Sequence, residues 1–324
     1  MKAWLGVTDW DWYTHLREIG ATEVNFWQPS GARRFSAIEP GAPFLFKSHY
    51  SRSNTAGNRI IGAGILSGWA RLPLSAAWEF FGEANGCRNL DEMRHRIGKY
   101  RRDKVSPAED PEIGCIMLRD ARFLAPTDSI SAPDAWSSNI VQGRSYDLDS
   151  PEGSYLEHVL EILWSGQDES GSSRTDLNWT EAAGIPGPVF EGTRQIPVRV
   201  GQRAFKALVQ EAYGRRCAVT GDRILPVLQA AHIRPVTQKG ENRVNNGLLL
   251  RSDVHTLFDR GYLAVHPERR TLLVSPRLRL QWGNGEEFYA RAATGEAIAE
   301  PSRKVDRPSR ESLTWHADTV FLSS

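Results

Sequence analysis

Residues 217–261 read CAVTGDRILPVLQAAHIRPVTQKGENRVNNGLLLRSDVHTLFDRG. His232, Asn246 and His255 follow one another in this stretch at intervals of fourteen and nine residues. Periodicity predicts two short strands, about Cys217 to Val219 and Val227 to Ala231, then a loop and a helix from about Ser252 to Asp259 that Gly261 ends. His255 and Asp259 stand four residues apart, so on that helix they project from one face and can grip a single divalent cation. Beyond it, PERR is a turn signal between two further strands, Leu263 to His266 and Thr271 to Ser275. Ahead of it, Phe205, Leu208, Val209 and Tyr213 recur at helical spacing, so a helix over Gly201 to Tyr213 leads into Arg215, Arg216 and Cys217.

With 324 residues the chain exceeds one typical domain, and two domains joined by a linker are expected. Composition shifts after the helical pattern of Tyr155 to Trp164, where SGQDESGSSRTD carries Gly, Ser and charge without apolar periodicity. The predicted division is therefore 1–164, a linker at 165–192, and 193–324. Short β-rich runs recur upstream: Trp4 to Val7, Glu23 to Trp27, Pro43 to Phe46, Arg59 to Leu66, Gly114 to Leu118 and Asn139 to Val141. Between them Ser75 is expected to cap a helix from Ala76 to Ala84, and Asn89 a second one reaching about Arg102. The fold class is α+β, with a small barrel-like sheet in the first domain.

Bulk charge excludes little. The 40 basic and 39 acidic residues leave a net charge of +1, so a nucleic-acid surface would have to come from local clusters such as Arg101–Arg102, Arg215–Arg216 and Arg269–Arg270. Most of the basic residues are Arg, whose planar fork suits phosphate. Three widely spaced cysteines, Cys87, Cys115 and Cys217, make neither a disulfide framework nor a CxxC pair, which fits a reducing cytoplasm. The acidic N-terminus MKAWLGVTDWDW is unlike a signal peptide, and no run approaches 18 apolar residues. A cytoplasmic protein without a membrane segment is expected.

The run AAHI-x-P, NGLLL, H-x-LFD-R-G resembles the HNH, or ββα-metal, endonuclease family, in the branch found in restriction-type enzymes. The resemblance implies metal-dependent hydrolysis of DNA. His232 is then the general base, for which an imidazole suits because its ordinary pKa lies near the working pH. Asn246 is the central Asn that pins the loop and orients the base, with Asn245 beside it. His255 and Asp259 hold the cation, Mg²⁺ or Mn²⁺ in the first place and Ni²⁺ or Co²⁺ as alternatives. Many relatives place an Asp or His ligand immediately before the base, and this chain has Ala231 there. Mg²⁺ keeps several waters and tolerates so few protein ligands; Asp253 or Asp222 could serve as an extra one. Cys217 stands where some relatives begin a zinc pair, but its counterpart is Thr220, so no structural zinc is expected.

Upstream, WLGVTD, FWQPSG, FLFKSH, IIGAGIL, AAWEFFGEANG and IGCIML, within about residues 4 to 118, resemble the PUA superfamily, with EVE and ASCH-like domains the most similar. Several members hold a nucleobase swung out of the helix. EVE-HNH fusions of this kind act as modification-dependent restriction endonucleases, so the resemblance implies double-stranded DNA carrying 5-methyl or 5-hydroxymethyl cytosine as substrate, in defence against phage. Extruding a base costs a few kcal/mol, which stacking on aromatic faces at roughly 1 to 3 kcal/mol per base offsets. The candidate pocket residues are Trp10, Trp12, Phe26, Trp27 and Gln28 with Ser30 and Ser48 as polar neighbours; Trp27 leads because Pro29 and Gly31 mark a turn beside it. Trp4, Trp78 and Phe81 read as core. Cutting both strands with one site per chain calls for a homodimer. Two alternatives stay open: a modified-nucleic-acid binding protein with a weakened nuclease, and a reader of phosphorothioate DNA or of RNA.

Overall fold

Adjacent residues of Pro43–Ser48 (β3) are all buried, which a strand achieves only when both of its faces are covered. Phe44 and Phe46 point to one core cluster and Leu45 to another; the same division separates Ile61 from Ile60 on the neighbouring strand. The computed structural model describes residues 1–49, 57–101, 109–137, 139–165 and 201–323. The linker assigned to 165–192 lies, from residue 166 onward, outside the described residues. The chain forms two compact units, Met1–Gly192 and Thr193–Ser324.

In the first unit, β1 (Lys2–Thr8), β2 (Val24–Gln28), β3, β4 (Arg59–Pro73), β5 (Glu112–Phe123), β6 (Ile130–Ser131) and β7 (Gly143–Asp147) make one sheet. The expected barrel-type sheet is an open path in the order β2-β5-β4-β3-β1-β7, with β6 on the start of β4. β1 and β3 run parallel and the other neighbours antiparallel. β4 and β5 are long because register shifts between Ala63 and Ile65 and between Leu66 and Gly68 let them coil around the core. Helix α1 (Trp10–Glu18) covers one face through Trp12, Tyr13 and Leu16. Helix α4 (Pro151–Ser165) covers the other through Leu156, Val159, Leu160 and Leu163.

Asn139–Val141 is not a strand: Val141 is 72% exposed, and the strand that pairs with β1 is β7, which follows it. Ser75 does not cap a helix. Helix α2 (Leu74–Phe81) starts after Pro73, and Ser75 donates from its backbone N (2.8 Å) and Oγ (2.5 Å) to Asp110. The capping carboxylate thus comes from a distant segment. Asn89 does cap α3 (Leu90–Tyr100), accepting from Glu92 N at 2.8 Å, while Glu92 accepts from Arg88 N, a reciprocal closure of the helix start.

The second unit opens with α5 (Gln202–Ala212) and continues with β8 (Leu228–His232), β9 (Gly247–Arg251), α6 (Ser252–Asp259), β10 (Leu263–Val265), β11 (Leu272–Val274), α7 (Pro276–Trp282), α8 (Glu286–Ala293) and α9 (Arg310–Thr319). Cys217–Val219, expected as a strand, is a turn. Gly221, at φ +79°, donates to Cys217 O, and Cys217 N donates to Asp222 O, which folds the segment back on itself. The partner of β8 is instead the buried GLLL run of β9, registered with His232 opposite Gly247 and Leu228 opposite Arg251. β10 and β11 pair antiparallel around the PERR turn, where Arg270 takes φ +60°.

Candidate nuclease site

His232 is the last residue of β8, and Asn246 immediately precedes β9, so the residues between them form a loop closed at its base. Asn246 is 5% exposed and holds that loop from inside. Its Nδ2 donates to Arg234 O (2.9 Å) and Glu241 O (3.0 Å), and its Oδ1 accepts from Arg234 N (3.1 Å). Ile233 N donates to Asn246 O at 2.9 Å. Every hydrogen-bonding position this side chain uses is spent on main chain, as loop-fixing requires. Asn245 uses its carbonyl oxygen elsewhere, to accept from Ser309 N.

The His232 ring is held on two sides. Phe205 of α5 lies parallel to it, with centroids 4.0 Å apart and planes 11° apart. His232 Nε2 sits 2.9 Å from Asn242 Oδ1 in the loop. Burial pulls the imidazole below its ordinary pKa of 6.5; the Asn242 hydrogen bond and Asp259 oppose this, and His255 and Lys206 add to it. His255 and Asp259 are therefore near enough to act on the base electrostatically. A neutral imidazole in this setting can accept a proton from water.

His255 and Asp259 lie one turn apart on α6, with Nε2 and Oδ2 separated by 3.3 Å. Donors bound side by side on an octahedral divalent ion stand roughly 3 Å apart, from metal–oxygen distances of about 2.1 Å, so the pair fits one cation with water completing the shell. His255 Nδ1 is 2.8 Å from Gln229 Oε1 on β8. Ala231, in the position before the base, is fully buried and offers no donor. Asp222 and Asp253 are engaged by Arg251, which donates from Nη1 to Asp222 (2.6 Å) and from Nε and Nη2 to Asp253 (2.7 and 2.8 Å). Hydrogen bonds from Thr220 and Arg251 lower the Asp222 carboxyl, and those from Arg251 lower Asp253. Both carboxylates thus build structure around β9. No group of three or more His, Cys, Asp and Glu arranged for a metal occurs among the described residues.

Two supports of the site lie far away in sequence. Arg234 of the loop sits over the Trp315 ring, 5.4 Å from its centroid. His316 stacks on Phe258 at 3.7 Å, and its Nε2 lies 3.1 Å from Phe258 O. Helix α9 thereby braces both the loop and α6. Gln229 and Asn242, two amides beside the motif histidines, are contacts that spacing did not point out as part of the site.

The candidate reader residues fall into separate settings. Trp12 is 3% exposed, packed edge-on against Phe26, Phe46 and Phe123, and Phe26 lies 4.9 Å from Phe44; both serve the core. Trp10 tilts against Tyr13 at 4.8 Å. Ser48 is buried, with Oγ donating to Arg59 O (3.3 Å) and accepting from Arg59 N (3.2 Å). Ser30 Oγ accepts from Ala32 N. Trp27 donates to Asn85 O at 3.0 Å and its ring lies 6.3 Å from that of Tyr100, and Gln28 Oε1 accepts from Trp69 Nε1 at 3.1 Å. Beyond Trp27, Tyr100 donates to the Asp9 carboxylate (3.0 Å), which also faces His49 Nε2 at 3.4 Å. Burial, then Asp9, raises the Tyr100 hydroxyl pKa. This polar group of Asp9, His49 and Tyr100 was not legible from spacing.

Residues 217–266 match the family model described as HNH endonuclease. Among solved structures, a modification dependent TagI restriction endonuclease is 23% identical, with 38% of this chain and 39% of that chain covered and a TM-score of 0.26. The chain thus spans 39% of that enzyme's length. Two crystal structures of ASCH protein variants from Zymomonas mobilis are 11% and 8% identical over 49% and 48% of this chain and 99% and 95% of theirs, with TM-scores of 0.33 and 0.32. No curated protein matches the chain. The family match begins at Cys217, takes in β8, β9 and α6 and ends at His266 after β10, and it identifies residues 217–266 as an HNH endonuclease domain.

Proposed function

We propose that this chain is a divalent-metal-dependent DNA endonuclease directed to modified DNA, in which residues 193–324 cut and residues 1–164 read. The observation that carries the cutting is the disposition of His232 at the end of β8 and the His255–Asp259 pair on α6, whose His255 meets Gln229 of that same strand at 2.8 Å. His232 takes the proton of the attacking water. Asn246 keeps the loop closed so that the ring stays in place. His255 and Asp259 would hold the cation, Mg²⁺ or Mn²⁺; when bound, it would stabilise charge on the phosphate and on the departing 3′ oxygen.

The reading of modified cytosine rests on the PUA-like sequence segments and on Trp27, a partly exposed aromatic beside the Tyr100–Asp9–His49 group. An aromatic face for stacking and a carboxylate for an exocyclic amine are what a flipped cytosine calls for. A homodimer would supply the second active site for double-strand cleavage. The test is a digest, in Mg²⁺ and in Mn²⁺, of DNAs that differ only in carrying cytosine, 5-methylcytosine or 5-hydroxymethylcytosine. Cleavage confined to one or both modified substrates supports the reading, and equal cleavage of all three removes the reader. A second reading, a modified-DNA binding protein with a weakened nuclease, is favoured by Ala231; it is the outcome if the modified DNA is bound tightly and never cut.

A further inference from the structure

An amide oxygen can accept a hydrogen bond and cannot donate one. Asn242 Oδ1 lies 2.9 Å from His232 Nε2, so Nε2 carries the proton and the lone pair of the neutral ring is at Nδ1. Gln229 Oε1 lies 2.8 Å from the other nitrogen of the other histidine, His255 Nδ1. There Nδ1 carries the proton and Nε2 keeps the lone pair. That Nε2 faces Asp259 Oδ2 at 3.3 Å, and two acceptors so placed require a cation or a proton between them.

We propose that Gln229 and Asn242 are positioning residues that lock His255 and His232 in opposite tautomers, leaving Nε2 of the first for a cation and Nδ1 of the second for the proton of water. The inference rests on the nuclease reading for what the two lone pairs are used for; the tautomers themselves follow from the hydrogen bonds. Gln229 reaches His255 from β8, the strand that ends in the base, so one five-residue strand, Leu228–His232, carries both the base and the group that orients the ligand. The neighbouring Ala231 supplies neither. Where relatives place a ligand directly on the strand, this chain places an amide three residues before the base, and that amide acts through the helix histidine. A metal-bound histidine in general needs its second ring nitrogen to donate to a fixed acceptor, and removing that acceptor weakens metal binding by roughly 10- to 100-fold.

The experiment uses the full chain, labelled with ¹⁵N histidine, at about pH 8. Long-range ¹H–¹⁵N spectra distinguish protonated from unprotonated ring nitrogens, and free Mn²⁺ is counted by electron paramagnetic resonance without DNA. For the wild type, His255 is expected to show a protonated Nδ1 and His232 a protonated Nε2. Gln229→Leu should lose the His255 signature alone and weaken Mn²⁺ binding about tenfold, with Gln229→Glu restoring the signature. Asn242→Leu should lose the His232 signature alone, with Asn242→Asp restoring it. The opposite tautomer on either ring in the wild type, or Leu variants that leave signature and Mn²⁺ affinity unchanged, would overturn the proposal. Correct signatures in a protein that cuts no DNA would uphold the positioning and remove the nuclease reading instead.

Discussion

The Phe205 ring lies flat against the His232 imidazole, 4.0 Å between centroids, and so fixes one face of the proposed general base. Phe205 is 1% exposed and belongs to a helix outside the matched segment. Phe205→Leu is expected to leave the fold intact while loosening the ring, lowering kcat about tenfold with KM little changed, since a positioning loss of roughly 1.4 kcal/mol corresponds to that factor. Steady-state kinetics on a cleavable DNA checks it. An unchanged kcat would mean that Asn242 alone orients the ring.

His232→Ala is expected to abolish turnover while DNA binding stays nearly intact, because the side chain contributes its proton chemistry rather than a phosphate contact. A pH profile adds a second check. Burial holds the His232 imidazole below its ordinary 6.5, so the neutral, basic form persists to lower pH. The acid limb of kcat/KM should lie below pH 6.5, and one above it would assign the base elsewhere.

Asn246→Ala removes the acceptor for Arg234 N and the donors for Arg234 O and Glu241 O. Leaving such groups unpaired in a buried site costs about 1 to 3 kcal/mol. Both the unfolding midpoint and the cleavage rate should fall, and faster hydrogen exchange in the 233–246 loop should accompany them. Protection there equal to the wild type would contradict the loop-fixing role.

His316 is 3% exposed, and burial pulls its pKa down to about 4. The unfolded chain binds the proton near 6.5 and the folded one only near 4, so this contribution is full above 6.5 and is lost as pH falls toward 4. The loss amounts to about 3 kcal/mol. Denaturant midpoints of the wild type should therefore drop across that window. His316→Gln, which keeps a donor for Phe258 O, should flatten the dependence.

Trp27→Ala is expected to do the reverse of the His232 change. Loss of one stacking face, worth roughly 1 to 3 kcal/mol, should raise KM for modified DNA about tenfold or more and reduce discrimination against unmodified DNA, with kcat little affected. Fluorescence anisotropy with paired modified and plain duplexes measures it. Unaltered discrimination would place the reading surface away from β2.

Much of the site can be read from sequence wherever the interaction is local. His255 and Asp259 share a helix face because a helix repeats every 3.6 residues, Gly261 ends that helix at φ +75°, and Asn89 caps the helix it precedes. The apolar run Pro43 to Phe46 likewise announces a strand, β3. What the tertiary structure alone decided is which distant groups meet. Cys217–Val219 turns rather than extends because Cys217 is paired with Gly221 and Asp222 while Ala218 donates to Leu249 O and accepts from Ala299 N, and β9 takes the place beside β8. Trp12, a pocket candidate by sequence, packs in the core because α1 lays it against Phe26 and Phe46. The contacts of Phe205 with His232, Gln229 with His255 and His316 with Phe258 join residues 27, 26 and 58 positions apart. No periodicity encodes such pairs; they exist because helices and strands, once formed, can bury their apolar faces in only a few mutual arrangements.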